Sequence, residues 1–155
     1  VLFYDEPSAV LALPAADIAV RAADNGPEVY DALRRKWVAL TPEEWVRQNF
    51  TAFLVAHRGY PAGLLANEVG LRLNGTLKRC DGLVYDRRLR PLVVMEYKAP
   101  HVAITQKVFD QIARYNIVVG APYLIVSNGM RHYCCRFGSG GYSFLPDIPR
   151  YDEMV

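Results

Sequence analysis

The run Leu92-Val93-Val94-Met95-Glu96-Tyr97-Lys98 constrains the fold more than any other stretch. Its first four residues are apolar without alternation, as a strand buried on both faces requires, so the chain must build a sheet covered on each side. Such a sheet needs apolar surface, and 52% of the 155 residues are hydrophobic. A chain of this length buries roughly 70% of the surface that its unfolded form exposes, and needs neither disulfides nor a structural metal to fold. Disorder, collagen and coiled coil are excluded by the same composition.

The elements around this strand can be read outward from it. Thr41-Pro42-Glu43-Glu44 announces a helix, with Thr41 as N-cap, Pro42 in its first turn and Glu44 placed for a capping box. The helix is expected to run to about Arg58 and stop at Gly59. Trp45, Val46, Phe50, Phe53, Leu54 and His57 recur at helical spacing, which leaves Glu43, Arg47 and Gln48 for the polar side. Leu65 to Leu73 alternates as a strand and Asn74-Gly75 supplies a hairpin turn into a second strand around Cys80 to Tyr85. Asp86 to Pro91 connects that strand to the buried run. Ile104, Val108, Ile112, Tyr115 and Val119 mark a second amphipathic helix, ended by Gly120-Ala121-Pro122. Tyr123 to Ser127 and Met130 to Phe137 form a further hairpin across Asn128-Gly129, before a glycine-rich turn and a proline-punctuated tail. The expected class is α/β (α+β), in the order α-β-β-β-α-β-β. Residues 1–27 read as a lead-in, a strand or an arm laid on the main body, closed by Asp24-Asn25-Gly26-Pro27, and 150–155 as a tail. Within 28–40, Arg34-Arg35-Lys36-Trp37 reads as a solvated segment anchored by one buried Trp.

Charge and cysteines narrow the setting. The formal net charge is +2, far from that of a nucleic-acid coat protein, although 14 of the 18 cationic side chains are Arg, the better phosphate fork. No apolar run reaches the ~20 residues of a membrane span. The first residues carry Asp5, Glu6, Pro7, Pro14 and Asp17 and no basic residue before Arg21, unlike a signal peptide. Cys80 stands alone and Cys134 adjoins Cys135, which is no disulfide framework. A zinc site on His132 and the cysteine pair lacks a fourth ligand at finger-like spacing. The expectation is a cytoplasmic protein with no membrane attachment.

Chemistry gathers where the buried strand ends. A carboxylate there is costly unless its charge is compensated, and Glu96 follows Met95 directly. Lys98, two residues on, shares its face. A hairpin closing across 86–91 brings Asp81 towards Glu96. Two carboxylates holding Mg²⁺, with Mn²⁺ as the alternative, would offset their mutual repulsion and polarise a phosphodiester, while the ammonium orients the attacking water. An oxygen-only site favours these hard cations over zinc. The competing account is a plain Glu96–Lys98 salt bridge, with Asp81 as a turn residue.

Asp81 followed by Glu96-Tyr97-Lys98, on a helix, three strands, helix, strand order, resembles the PD-(D/E)XK nucleases. The stretches Trp37 to Gln48, Lys78-Arg79-Cys80-Asp81, Tyr97-Lys98-Ala99-Pro100 and Gln111 to Asn116 resemble more closely the N-terminal nuclease domain of type I restriction enzyme R subunits. The resemblance covers about residues 28–149 and implies a restriction-endonuclease-like core, a mixed central sheet flanked by helices. It implies Mg²⁺-dependent DNA cleavage, of the endonuclease kind, with Asp81 and Glu96 as metal ligands and Lys98 as catalytic lysine. DNA and other restriction-modification subunits are the partners it implies. Cys80 stands where the family name has Pro. The alternative is a DNA-binding or assembly module that does not cleave.

Several residues compete for supporting roles. Glu44 and Glu68 are the candidates for a further site carboxylate, with Glu68 also a candidate metal ligand; Glu44 already has its capping box, while Glu68 opposes the apolar face of its strand. Gln111 and Tyr115 match a Gln-x-x-x-Tyr pattern that lies beside the site and contacts DNA in a branch of these nucleases, and Tyr115 also completes an apolar stripe. Arg79, Arg87 and Arg88 could reach phosphate, a contribution that falls with salt, or could simply be solvated.

Overall fold

The computed structural model describes residues 9–155. The start of the expected lead-in, with Asp5, Glu6 and Pro7, lies outside these residues. A three-stranded antiparallel sheet comes first, formed by β1 (Val20–Ala23), β2 (Gly26–Asp31) and β3 (Lys36–Ala39). Helix α1 (Pro42–Arg58) follows, and a 3-10 turn at Ala62–Leu64 leads into the main sheet. That sheet has six strands in sequential order: β4 (Leu65–Leu73), β5 (Thr76–Tyr85), β6 (Pro91–Tyr97), β7 (Tyr123–Ser127), β8 (His132–Gly138) and β9 (Gly141–Phe144). Helix α2 (Gln106–Val119) crosses from β6 to β7, the one parallel pair, and a short α3 (Tyr151–Met154) ends the described chain. The sheet is mixed, as expected.

β6 is the buried strand of the sequence reading, with Val93, Val94 and Met95 at most 1% exposed. Its two faces supply different cores. Val93, Met95 and Tyr97 pack with Val46, Phe50 and Leu54 of α1. Val94 packs with Leu83 and Leu124 beneath Val108, Phe109 and Ile112 of α2. Cys134 belongs to the first core and Cys135 to the second, so the adjacent thiols point to opposite faces and cannot share one ion. Burial raises both thiols, Cys135 to about 11 and Cys134 to about 12.

Both ends of α1 form as the sequence dictates. Thr41 Oγ1 accepts from the Glu44 N–H at 3.0 Å, and Gly59 takes the left-handed conformation at φ 70° that ends the helix. Its faces depart from expectation. Arg47 and Gln48, assigned to the polar side, are buried, while His57 is exposed. Polar partners, not apolar packing, account for the burial of Arg47 and Gln48.

The other departures are strands with little pattern. The loop at Asp24-Asn25 is the turn of the β1–β2 hairpin, so the end of the lead-in is a strand, one of the two forms expected of it, while Lys36 and Trp37 belong to β3 and not to a solvated segment. Trp37 is only half-buried, with Arg21 lying 4.2 Å above its ring. β5 begins at Thr76, earlier than Cys80, and β9 and α3 extend the expected order. Among the described residues, no helix is long and apolar enough to cross a membrane.

Candidate metal and active site

The register of β5 on β6 builds the site. Gly82 faces Met95 and Leu83 faces Val94, so Asp81 stands opposite Glu96, at the carboxyl end of β6. Asp81 Oδ2 accepts the Tyr97 N–H at 2.7 Å, which fixes the carboxylate across the strand pair. Lys98 follows the end of β6, its N–H bonded to the Ser127 carbonyl, and its Nζ lies 3.6 Å from Glu96 Oε1. The three residues on which the chemistry was expected to rest therefore meet.

Their electrostatics combine burial with a mutual repulsion that Lys98 and Arg47 only partly offset. Glu96 is pushed up from 4.5 to about 8, first by burial and then by the charge of Asp81, with Lys98 opposing. Asp81 is raised as well, chiefly by burial, although the Tyr97 N–H, Arg47 and Lys98 pull it down. The two carboxyls are thus both raised and titrate as one coupled pair, in which burial and mutual repulsion favour a retained proton.

Glu44 and Glu68 sit beside this pair in a second, ionic group. The Glu44 carboxylate is not turned back to the helix start as a capping box requires. Its Oε1 meets Arg47 Nη1 at 2.6 Å and Arg34 Nη2 at 3.2 Å, and its Oε2 accepts from Gln48 at 2.9 Å. Two guanidinium groups are stronger partners than one backbone N–H, which is why the reciprocal cap fails. Glu68 has φ 52°, a conformation a non-glycine strand residue rarely adopts. Its carboxylate meets Arg34 at 3.1 Å, Arg79 at 3.3 Å and Arg47 at 3.6 Å. Arg34 is itself fixed by Asp31, which is fully buried and also accepts the Leu33 and Arg34 N–H groups and the Asn67 amide. Burial opposes ionisation of Asp31, but these hydrogen bonds outweigh it and hold its carboxyl below the usual range.

Three contributors escaped the sequence reading. Arg47 bridges the two groups, its Nη2 lying 3.3 Å from Asp81 Oδ1. Arg34, expected in solvent, closes the far side. Glu43 is exposed at the rim, yet it is raised by desolvation and by Asp81, and it raises Glu96 in turn, so it belongs to the same field. The spacing of α1 did contain a signal: Glu43, Glu44 and Arg47 fall within two turns of the cap.

The remaining candidates sit on α2, in the β5–β6 turn and beside Glu68. Gln111 bonds to Tyr115 at 3.3 Å on α2, and neither makes a hydrogen bond or ion pair with Asp81, Glu96 or Lys98. Arg87 and Arg88 occupy the β5–β6 turn, the opposite end of that hairpin from Asp81 and Glu96, about five residues or roughly 16 Å along the strands. They cannot touch a phosphate held by those carboxylates. Arg79 is exposed beside Glu68 and remains near the site.

The donor set fits a hard divalent cation. Asp31, Glu43, Glu44, Glu68, Asp81 and Glu96 against Arg34, Arg47, Arg79 and Lys98 leave a surplus of two negative charges when all are ionised. Among the described residues no three of His, Cys, Asp and Glu are arranged to surround an ion, so water or phosphate oxygens would complete its shell.

Residues 42–149 match the family described as type I restriction enzyme R protein N terminus. Among solved structures, a fragment described as an HsdR subunit of a type I restriction enzyme from Vibrio vulnificus YJ016 is similar in fold, with TM-score 0.51 and 19% identity. The match covers 65% of this chain and 22% of that one. No curated protein matches.

Proposed function

This chain belongs to the family of type I restriction enzyme R protein N-termini, and from that premise we propose that it is a metal-dependent DNA nuclease. The observation that supports this best is the pairing of Asp81 with Glu96 beside Lys98, with Glu96 raised to about 8 by burial and by the charge of Asp81, which Lys98 only partly offsets. Asp81 and Glu96 are the residues that would hold Mg²⁺ or Mn²⁺; the cation, when bound, supplies charge neutralisation and polarises the phosphodiester. Lys98 donates from its ammonium to the attacking water and to the charge that develops on the phosphate oxygens. Hydrolysis adds the water oxygen to phosphorus, breaks one P–O ester bond and leaves a proton to the departing alkoxide. Tyr97 keeps Asp81 aimed through its backbone N–H. DNA is the substrate class, and other restriction-modification subunits are the partners.

One observation favours a second reading, a DNA-binding or assembly module that does not cleave alone. Both oxygens of Asp81 already have donors, the Tyr97 N–H and Arg47. The two readings separate in one assay: supercoiled and linear DNA incubated in Mg²⁺ or Mn²⁺ with the wild type, Asp81→Ala and Lys98→Ala. Cleavage by the wild type, reduced at least a hundredfold in both variants, is expected, since positioned acid–base or charge contributions reach about 10²–10⁴. Equal cleavage by all three overturns the nuclease, and salt-sensitive DNA binding without cleavage favours the module.

A further inference from the structure

Arg47 is 3% exposed, and burying a guanidinium costs several kcal/mol unless its partners are well placed. Glu44, at 2.6 Å, would neutralise it alone. The side chain nevertheless extends its second nitrogen to Asp81 Oδ1 at 3.3 Å, and its Nε is buried with no partner. An unpaired buried donor is unusual and asks for a reason. Nor is the group free to swing away. Nη1 is tied to Glu44 and faces Glu68, both carboxylates are held by Arg34, and Arg34 is locked on Asp31.

Resting on the metal reading above, we propose that Arg47 is a resident counter-ion and positioning residue for Asp81, which competes with a divalent cation for that carboxylate. Its charge stands where part of the cation's charge would act, and its fork fixes the rotation of the Asp81 carboxylate. The consequence is a deliberately weakened site. A divalent ion meets a fixed positive charge one carboxylate away, so occupancy is low until a phosphodiester brings negative charge to the opposite side of the ion. Metal and DNA then bind with positive coupling, each raising the affinity of the other by the same factor.

Titration of Mn²⁺ into the wild type, Arg47→Met, Arg47→Lys and Asp81→Asn by calorimetry tests this without any turnover. Arg47→Met should bind Mn²⁺ about fivefold or more tightly, as expected for removing a like charge this close. Arg47→Lys, which keeps the charge, should stay nearer the wild type. Should Arg47→Met fail to fold with Glu44 and Glu68 left to Arg34, Gln48 and Arg79 alone, the double variant Arg47→Met, Glu44→Gln removes the charge pair together, and the same tightening is expected. In the wild type, the Arg47 Nε–H resonance should shift with saturation as Mg²⁺ is added. Asp81-dependent Mn²⁺ binding that is unchanged or weaker in the Arg47→Met variants, or an Arg47 resonance that stays still while the Tyr97 amide moves, overturns the inference alone. Binding that is identical in the wild type and Asp81→Asn overturns the metal reading and this inference with it.

Discussion

Glu96 is the residue at which the cost of the site is concentrated. In the folded chain it keeps its proton to about pH 8, whereas the unfolded chain releases it near 4.5. Between these values the folded state binds more protons, so stability falls as pH rises through the window, and the loss is complete above about 8. Glu96→Gln removes this dependence. It should unfold in denaturant with a stability that varies less between pH 5 and pH 8.5, and at pH 8.5 it should exceed the wild type by roughly 1–3 kcal/mol. If the pair holds Mg²⁺ as proposed, the ion should restore the wild type at pH 8.5 and leave the variant unmoved; a parallel decline of both proteins would contradict the assignment. Asp31 behaves in the opposite sense. Its lowered carboxyl contributes stability above its unfolded value, which is lost as pH falls through the lower folded value. At this scale, sequence made Glu96 and Lys98 legible because a period of two puts them on one face, and Asp81 because a hairpin closing across 86–91 brings it opposite. Arg34, Arg47 and Asp31 were not, since a buried ionic cluster breaks the apolar-in, polar-out rule on which such reading depends.

Among the elements, α1 does the most to assemble the site, because its first two turns carry Glu43, Glu44 and Arg47 while its apolar stripe fixes it on β6. The N-cap therefore acts on geometry as well as on helix stability. Thr41→Ala loses the bond to the Glu44 N–H and should cost about 1 kcal/mol, lowering the melting temperature by about 2–4 °C for a chain of this size, with Thr41→Ser largely restoring it. A melting temperature unchanged in Thr41→Ala would show that packing alone holds the first turn. The strands divide by how they are buried. β4, β6 and β7 were readable from alternation or from continuous apolarity. β1 and β3 have four residues each, and the first half of β5, Thr76 to Arg79, is exposed throughout. Such strands form because a partner offers its ladder of hydrogen bonds, not because their own side chains demand it. Glu68 is the limit of this effect: its φ of 52° has no trace in the sequence, and it places the carboxylate among Arg34, Arg47 and Arg79.

At the scale of the whole molecule, the sheet has two ends with different chemistry. The carboxyl end of β6 gathers the carboxylates, Lys98 and Arg79. The β5–β6 turn at the other end gathers Arg87, Arg88 and Arg90 around Asp86, whose carboxylate accepts the Arg88 and Arg90 N–H groups at 2.9 Å. The arginine excess of the composition thus serves two places, and only one can share a phosphate with Asp81 and Glu96. If the chain cleaves DNA as proposed, arginine removal should report this division. Arg79→Ala should weaken DNA binding and reduce the slope of log affinity against log salt by about one, the loss of a single phosphate contact. Replacing Arg87 and Arg88 together with Ala should leave the rate at saturating DNA within about twofold of the wild type, because roughly 16 Å of strand separates them from Glu96. Cleavage rates under single-turnover conditions, taken beside Lys98→Ala, distinguish the outcomes. If the loss of Arg87 and Arg88 lowers the saturated rate as far as loss of Lys98 does, the DNA must run along the sheet from one end to the other, and the turn is part of the active surface.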